Sequence, residues 1–257
     1  MKTKSAICPK KKQRELIFDR DVLTCEYHSA MLAGLSLIGD DLVQKAKDAV
    51  KLNVLVLGTG AGVLPMFIRH QFAGCLESIV TVDINPEILR VAQEHFGLHP
   101  DDVLKSEIAD ALEFVRQAKP ESFDIVVMDV NYEEGDVGIN PPKKFFEPEF
   151  IQQLHTITKP AGLIVINTII EEEHKAKLIQ QVKQVKDSTK FITKAQNDAN
   201  EVLLLAKGVK ELKSIEESKS RLQNLTKVCE ALNLNKGIFL SKKNMQVIHH
   251  TETMRRL

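Results

Sequence analysis

The run Asn53-Val54-Leu55-Val56-Leu57-Gly58-Thr59-Gly60-Ala61-Gly62 constrains this chain more than any other stretch. An all-apolar segment breaks there into alternating glycines. A second apolar run, Ile79-Val80-Thr81-Val82, follows after a helix-length interval and ends in Asp83. A buried strand, a glycine turn, a helix and a strand ending in a carboxylate make a nucleotide-binding half. Glycines let a ligand approach the backbone because no Cβ stands in the way. A carboxylate at the end of the second strand accepts hydrogen bonds from ribose hydroxyls.

Residues 1–14 form a basic arm containing Lys10-Lys11-Lys12-Gln13-Arg14, read as a solvated run rather than a nuclear address or an RNA contact. Residues 15–40 read as an N-terminal β-hairpin and a helix. Leu16 and Phe18, a turn at Asp19-Arg20-Asp21, then Val22 and Leu23 alternate as paired strands do. Met31, Leu32, Leu35 and Ile38 share one face of a helix expected from Glu26 to Ile38. His28 is expected to face solvent in its first turn, and Glu26 to complement the helix dipole.

Residues 41–208 read as the core. Strands are expected at Val54–Leu57, Ile79–Asp83, Leu104–Ile108, Phe123–Val130, Leu163–Ile170, Lys190–Lys194 and Val202–Ala206. Between them lie helical stretches, one of which has Pro86 just inside its start and Gly97 as its C-cap. The near-continuous apolar run Phe123–Val130 suits a strand buried on both faces. A long polar loop, 131–148, carries Glu133, Glu134 and Asp136, and loops of that length in a compact domain are usually functional or disordered. The alternation gives an α/β fold with a doubly wound, mostly parallel sheet. The last two strands are close enough to form a hairpin, so one edge strand is expected to be antiparallel. Residues 209–257 read as a C-terminal helical extension and tail, with Leu212, Ile215, Leu222, Leu225, Val228 and Leu232 at helical spacing. His249 and His250 have no companion ligands, and no metal site is read from them.

Charge and cysteine usage narrow the partners. Thirty-five basic side chains balance thirty-five acidic ones (35 and 35), so no field favours nucleic acid or a membrane surface. Cys8, Cys25, Cys75 and Cys229 make no CxxC pair and read as free thiols in a reducing compartment. No apolar run approaches the roughly 20 residues that span a bilayer, and the polar, basic start does not read as a secretory signal. A cytoplasmic location is expected. A homodimer is compatible with all of this.

The glycine pattern decides between nucleotide classes. A dinucleotide turn is G-x-G-x-x-G, whereas Gly58, Gly60 and Gly62 make G-x-G-x-G. The shorter motif fits the class I, Rossmann-like methyltransferases that use S-adenosylmethionine. Val82-Asp83-Ile84-Asn85-Pro86 then offers a carboxylate to the ribose with a helix start beyond it. Ala109-Asp110-Ala111 follows the third strand, where an Asp accepts from the adenine amino group. Lys159-Pro160-Ala161-Gly162 resembles the K-P-G-G turn of such enzymes. Many of them carry an acidic residue two positions before the first glycine; here that position is Val56, so the amino group of the cofactor needs another partner.

Three segments carry a more specific resemblance: Leu55 to Phe67, Leu23-Thr24-Cys25-Glu26-Tyr27-His28 through Leu35, and Val91 to Gly97. They resemble the C-terminal catalytic domain of the family of dual elongation factor 1-alpha lysine and N-terminal methyltransferases. The resemblance runs from about residue 18 to residue 245 and takes in Asp129-Val130-Asn131, Pro141-Pro142 and Leu240-Ser241. It implies a spermidine-synthase-like fold, S-adenosylmethionine as donor, and the α-amine of elongation factor 1-alpha as acceptor. The family's second, lysine-modifying N-terminal domain has no counterpart in this sequence, and Asn131 stands where the family tends to carry Asp.

Methyl transfer to nitrogen needs a neutral amine held in line with the sulfonium, so positioning supplies most of the acceleration. Asp129, at the carboxyl end of the fourth strand, is expected to orient the amine, with Asn131 beside it. The expected cofactor residues are Gly58, Gly60, Gly62, Asp83, Ile84, Asp110, Ala111, Asp129 and Tyr27. Glu133, Glu134 and Asp136 form an acidic lip for a basic protein segment, or else a solvated loop. Two other functions use the same fold. A polyamine synthase usually carries G-G-G-D-G-G, where this chain has Ala61, and Asp-x-x-Asp-Pro, where it has Asp129-Val130-Asn131-Tyr132-Glu133. A non-catalytic scaffold has no need of the Gly58, Gly60, Gly62, Asp83 and Asp110 set.

Overall fold

The structure, a computed structural model, describes residues 18–131, 140–195, 199–209 and 254–256. The basic arm, the acidic lip, the segment from residue 210 to the histidine pair, and Leu16 of the expected hairpin lie outside the described residues.

Helix α1 (Glu26–Ala33) runs through a 3₁₀ turn (Gly34–Ile38) into α2 (Gly39–Lys47). Strand β1 (Leu52–Leu57) leads to α3 (Val63–Gln71), β2 (Leu76–Asp83), α4 (Pro86–Phe96), β3 (Leu104–Ile108), α5 (Ala111–Gln117) and β4 (Phe123–Met128). Then come α6 (Pro148–Ile157), β5 (Thr158–Thr168), α7 (Glu172–Gln184), β6 (Ser188–Lys194), β7 (Glu201–Lys207) and the two-residue β8 (Arg255–Arg256). The sheet order is β3-β2-β1-β4-β5-β7-β6-β8. Strands β1 to β5 pair in parallel.

The sheet separates two apolar layers because strand side chains alternate between faces. Val54, Val56, Ile79, Ile125, Val127, Leu163, Val165 and Leu204 pack with α1, α3 and α4 on one side. Leu55, Leu57, Val82, Val126, Met128, Ile164, Ile166 and Leu205 pack with α5, α6 and α7 on the other. Helix α4 shows the local logic: the Asn85 side chain accepts from Glu87 N at 2.9 Å, Pro86 opens the helix, and Gly97 closes it at φ 72°. At the opposite rim, buried Asp124 accepts from Asn53 N and from Lys159 Nζ, both at 2.8 Å, and from Lys45 Nζ. Burial pushes its carboxyl up, but those three donors outweigh burial and hold it below the ordinary carboxylate range. One carboxylate thereby ties α2, β1, β4 and β5 together.

Several expectations are corrected. Residues 18–25 hold no strand and run as a strap over α3 and α4. Phe18 packs on Gly97, Arg20 donates to the Gly97 carbonyl at 3.2 Å, and Gln71 donates to Asp21 at 2.6 Å. The alternation there records contacts with helices, not with a partner strand. The expected helix 26–38 tightens into the 3₁₀ turn after Ala33, where Ser36 Oγ donates back to the Ala33 carbonyl at 2.7 Å. Strand β4 stops at Met128, and β5 begins at Thr158, ahead of the Lys159–Gly162 turn. The expected antiparallel edge is present and is wider than one strand: β7 pairs antiparallel with both β5 and β6, and β8 at the rim pairs antiparallel with β6.

Candidate functional site

The chain reverses its direction of growth between β1 and β4, which pair in parallel at the middle of the sheet. In open α/β sheets the crevice at the carboxyl ends of such strands holds the ligand. Gly58 and Asp129 stand at those two ends. Gly58 N donates to Val82 O, and Asp129 N to Leu57 O, each at 2.8 Å. Gly58 adopts φ 90°, and a Cβ there would lie 2.2 Å from the Asp129 carbonyl oxygen. Only glycine fits between two backbones this close. Gly60, at φ 50°, has nothing within 4 Å of its would-be Cβ, so the tip of the loop faces open space.

Asp83 holds this loop from the next strand. Its Oδ2 accepts from Thr59 N at 3.0 Å and its Oδ1 from Asn85 N at 3.0 Å. Beneath it the Thr59 and Thr81 hydroxyls are 2.7 Å apart and buried. Ile84 follows Asp83 and is 60% exposed; Ile108, paired with Asp83 across β2 and β3, is 61% exposed. Two branched apolar side chains are thus displayed at the carboxyl ends of adjacent strands, beside the Asp83 carboxylate. Asp110 comes next and is the N-cap of α5, accepting from Leu112 N at 2.8 Å, with Ala111 buried behind it.

The Asp129 carboxylate is held on both oxygens. Oδ2 accepts from Tyr27 OH at 3.2 Å and lies 3.5 Å from His28 Nε2. Oδ1 accepts from Asn167 Nδ2 at 2.8 Å, and Asn167 Oδ1 in turn accepts from Asn200 Nδ2 at 2.9 Å. The structure brings Tyr27 and Asp129 together beside the glycine loop, with Asp83, Ile84, Asp110 and Ala111 at the neighbouring strand ends. Asn131 sits two residues past Asp129 and is exposed.

His28 corrects the solvent-facing expectation: it is only 5% exposed. Helix α1 is buried nearly all round, because its first turn is wedged over the carboxyl end of the sheet, so its periodicity carries no reliable outside. The buried His28 Nδ1 meets no hydrogen-bond partner among the described residues. Asn167 and Asn200 escape the sequence reading. Asn167 had a signal, a polar residue ending the apolar run Leu163–Ile166 at a strand's carboxyl end. Asn200 had none.

Comparison with known proteins agrees with this geometry. A family profile described as a methyltransferase domain matches residues 48–237. The eEF1A lysine and N-terminal methyltransferase of Danio rerio is 31% identical over 191 residues, covering 72% of this chain but 27% of that protein. The chain therefore spans about a quarter of such a relative's length. The crystal structure of human methyltransferase-like protein 13 in complex with SAH superposes with a TM-score of 0.69 at 27% identity, covering 82% of this chain and 94% of that one. A probable spermidine synthase from Corynebacterium glutamicum shares the fold, with a TM-score of 0.64 at 20% identity over 80% of this chain and 73% of that one. Among the described residues no helix is long and apolar enough to cross a membrane. The chain belongs to the methyltransferase domain family, with a class I, spermidine-synthase-like α/β fold.

Proposed function

We propose that this protein transfers a methyl group from S-adenosylmethionine to a protein amine, the N-terminal α-amine of elongation factor 1-alpha or one of its lysines. The names of the relatives support the substrate, and the SAH in the human structure supports the cofactor. The substrate in turn argues for a cytoplasmic location. The reading needs no second copy of the chain, since one chain supplies every residue assigned below.

The site fits that cofactor. The open space above Gly60 is a cradle that a Cβ would enter. Gly58 N and Gly62 N are committed to Val82 O and Thr59 O, so the loop would receive the methionine end by close backbone approach around Gly60, and Asp83 would accept from the ribose hydroxyls. Ile84 and Ile108 would hold the adenine between apolar side chains, and Asp110 with Ala111 would line its edge. When bound, the cofactor supplies an electrophilic methyl on a sulfonium. Val56 is buried, so no carboxylate precedes the loop; Asp129 is the carboxylate placed to meet the cofactor's amino group.

The chain's own contribution is to hold the acceptor amine. Its lone pair must point at the methyl, and its remaining N–H bonds must be accepted. Asp129 and the side-chain carbonyl of Asn131 provide acceptors, while Tyr27 covers the site from α1. An α-amine, with a reference pKa of roughly 8, is partly neutral at pH 7, so a proton exit is needed rather than a strong base. The observation that carries the proposal is the Asp129 carboxylate, fixed on both oxygens at the end of β4, on a residue whose backbone carbonyl lies against Gly58. The polyamine synthase alternative is supported by fold likeness and by a shorter sequence match that covers 44% of this chain. Asp129→Ala tests the assignment: transfer should fall at least about a hundredfold, well beyond the loss in S-adenosylmethionine affinity that follows from removing the partner of its amino group. Unimpaired transfer by that variant would remove Asp129 from the acceptor site.

A further inference from the structure

We infer that Asn200 is a positioning residue for methyl transfer, acting on Asp129 through Asn167. The inference rests on the role proposed above for Asp129.

An asparagine amide presents a donor on one side and an acceptor on the other. Asn167 can serve Asp129 only with its NH₂ turned toward the carboxylate. Turned over, it would set an oxygen against Oδ1, and like dipoles would push the carboxylate out of place. Nothing in the Asn167 backbone chooses between the two states. The acceptor-only carboxylate favours the first state, and Asn200 reinforces it: its Nδ2 donates to Asn167 Oδ1 at 2.9 Å, while Asn167 Nδ2 donates to Asp129 Oδ1 at 2.8 Å. Asn167 is 7% exposed and Asn200 6%, so bulk water does not readily replace either partner.

Asn200 is itself held by main-chain bonds. Its carbonyl accepts from Ala195 N at 3.0 Å across the β6–β7 connection. The next carbonyl, that of Glu201, accepts from Thr168 Oγ1 at 2.8 Å, and Asn167 pairs with Val202 in the β5–β7 register. The antiparallel strand inserted beside β5 thus carries a donor to the back of the site. Tyr27 and His28 reach only Oδ2. Among the described residues, Oδ1 is held by the asparagine pair.

The test uses the full chain with Asn200→Leu, Asn200→Ser, Asn167→Leu and the Asn200→Leu/Asn167→Leu double variant. The substrates are S-adenosylmethionine and an N-terminal peptide of elongation factor 1-alpha. Asn200→Leu should lower kcat about tenfold with cofactor affinity within about twofold of wild type. Asn200→Ser, which keeps a donor, should recover part of the loss. In the Asn167→Leu background, Asn200→Leu should cost nothing more, because both act through one link. The Asn167 side-chain ¹⁵N amide resonance should move in Asn200→Leu. An unmoved resonance, or losses that multiply in the double variant, would overturn the inference. A wild-type protein that binds the cofactor yet methylates nothing would instead count against the proposed function, and the resonance would still decide whether Asn200 sets Asn167.

Discussion

A Cβ added to Gly58 would sit 2.2 Å from the carbonyl oxygen of Asp129. The glycine loop and the end of β4 are therefore in backbone contact, which couples the proposed cofactor cradle to the proposed acceptor carboxylate. The two neighbouring glycines should separate packing from binding. Gly58→Ala meets both a clash with backbone and a φ of 90°; it should cost more than about 2 kcal/mol and abolish cofactor binding. Gly60→Ala, at φ 50° with nothing nearby, should cost only about 1 kcal/mol yet weaken S-adenosylmethionine at least about tenfold. Thermal melts beside calorimetric titration read both effects.

Asp83 offers a second test. Both of its oxygens already hold loop amides, those of Thr59 and Asn85. Asp83→Ala strands those donors and removes the ribose acceptor, so cofactor binding should be lost. Asp83→Asn keeps one acceptor and should give an intermediate loss of about ten- to a hundredfold. Wild-type affinity in Asp83→Ala would refute the ribose assignment.

Asp124 governs stability rather than activity. Its carboxyl lies below the ordinary range when folded, so its stabilisation is present above the unfolded value of about 3.9 and is lost as pH falls through the folded value. Removing it leaves Lys45 and Lys159 without their shared partner. Asp124→Ala should cost about 3 kcal/mol at pH 7, and its melting temperature should fall less steeply than wild type below pH 4. Parallel acid slopes in the two proteins would contradict this.

The pH dependence of transfer should identify the amine. With limiting acceptor and saturating cofactor, the rate to an α-amine should rise about tenfold per pH unit and level near pH 8. A rate still climbing past pH 9 would mark a lysine acceptor. Initial rates across that range on a single protein substrate distinguish them.

The sequence displays most of this site because its parts are local. Gly58, Gly60, Gly62 and Asp83 announce a turn and a strand end, and Pro86 with Gly97 brackets a helix by backbone chemistry alone. Asp129 was legible as the polar end of a buried run. His28 was not, because a helix buried on every side offers no polar face against which to judge one residue. Residues 18–25 misled for a related reason: their alternation is real, but its partner is a helix layer. Asn167 and Asn200 meet across a strand pairing between segments 33 residues apart, and only the register of β7 on β5 brings them together.

The most direct measurement follows methyl-labelled S-adenosylmethionine into a cytosolic extract that lacks this enzyme and maps the label by mass spectrometry. The account predicts label on elongation factor 1-alpha, at its N-terminal amine or a lysine, and none when the extract is given the Asp129→Ala variant. Label confined to other proteins would keep the reaction and discard the substrate. No protein label, together with aminopropyl transfer from the decarboxylated cofactor to putrescine, would contradict the central claim.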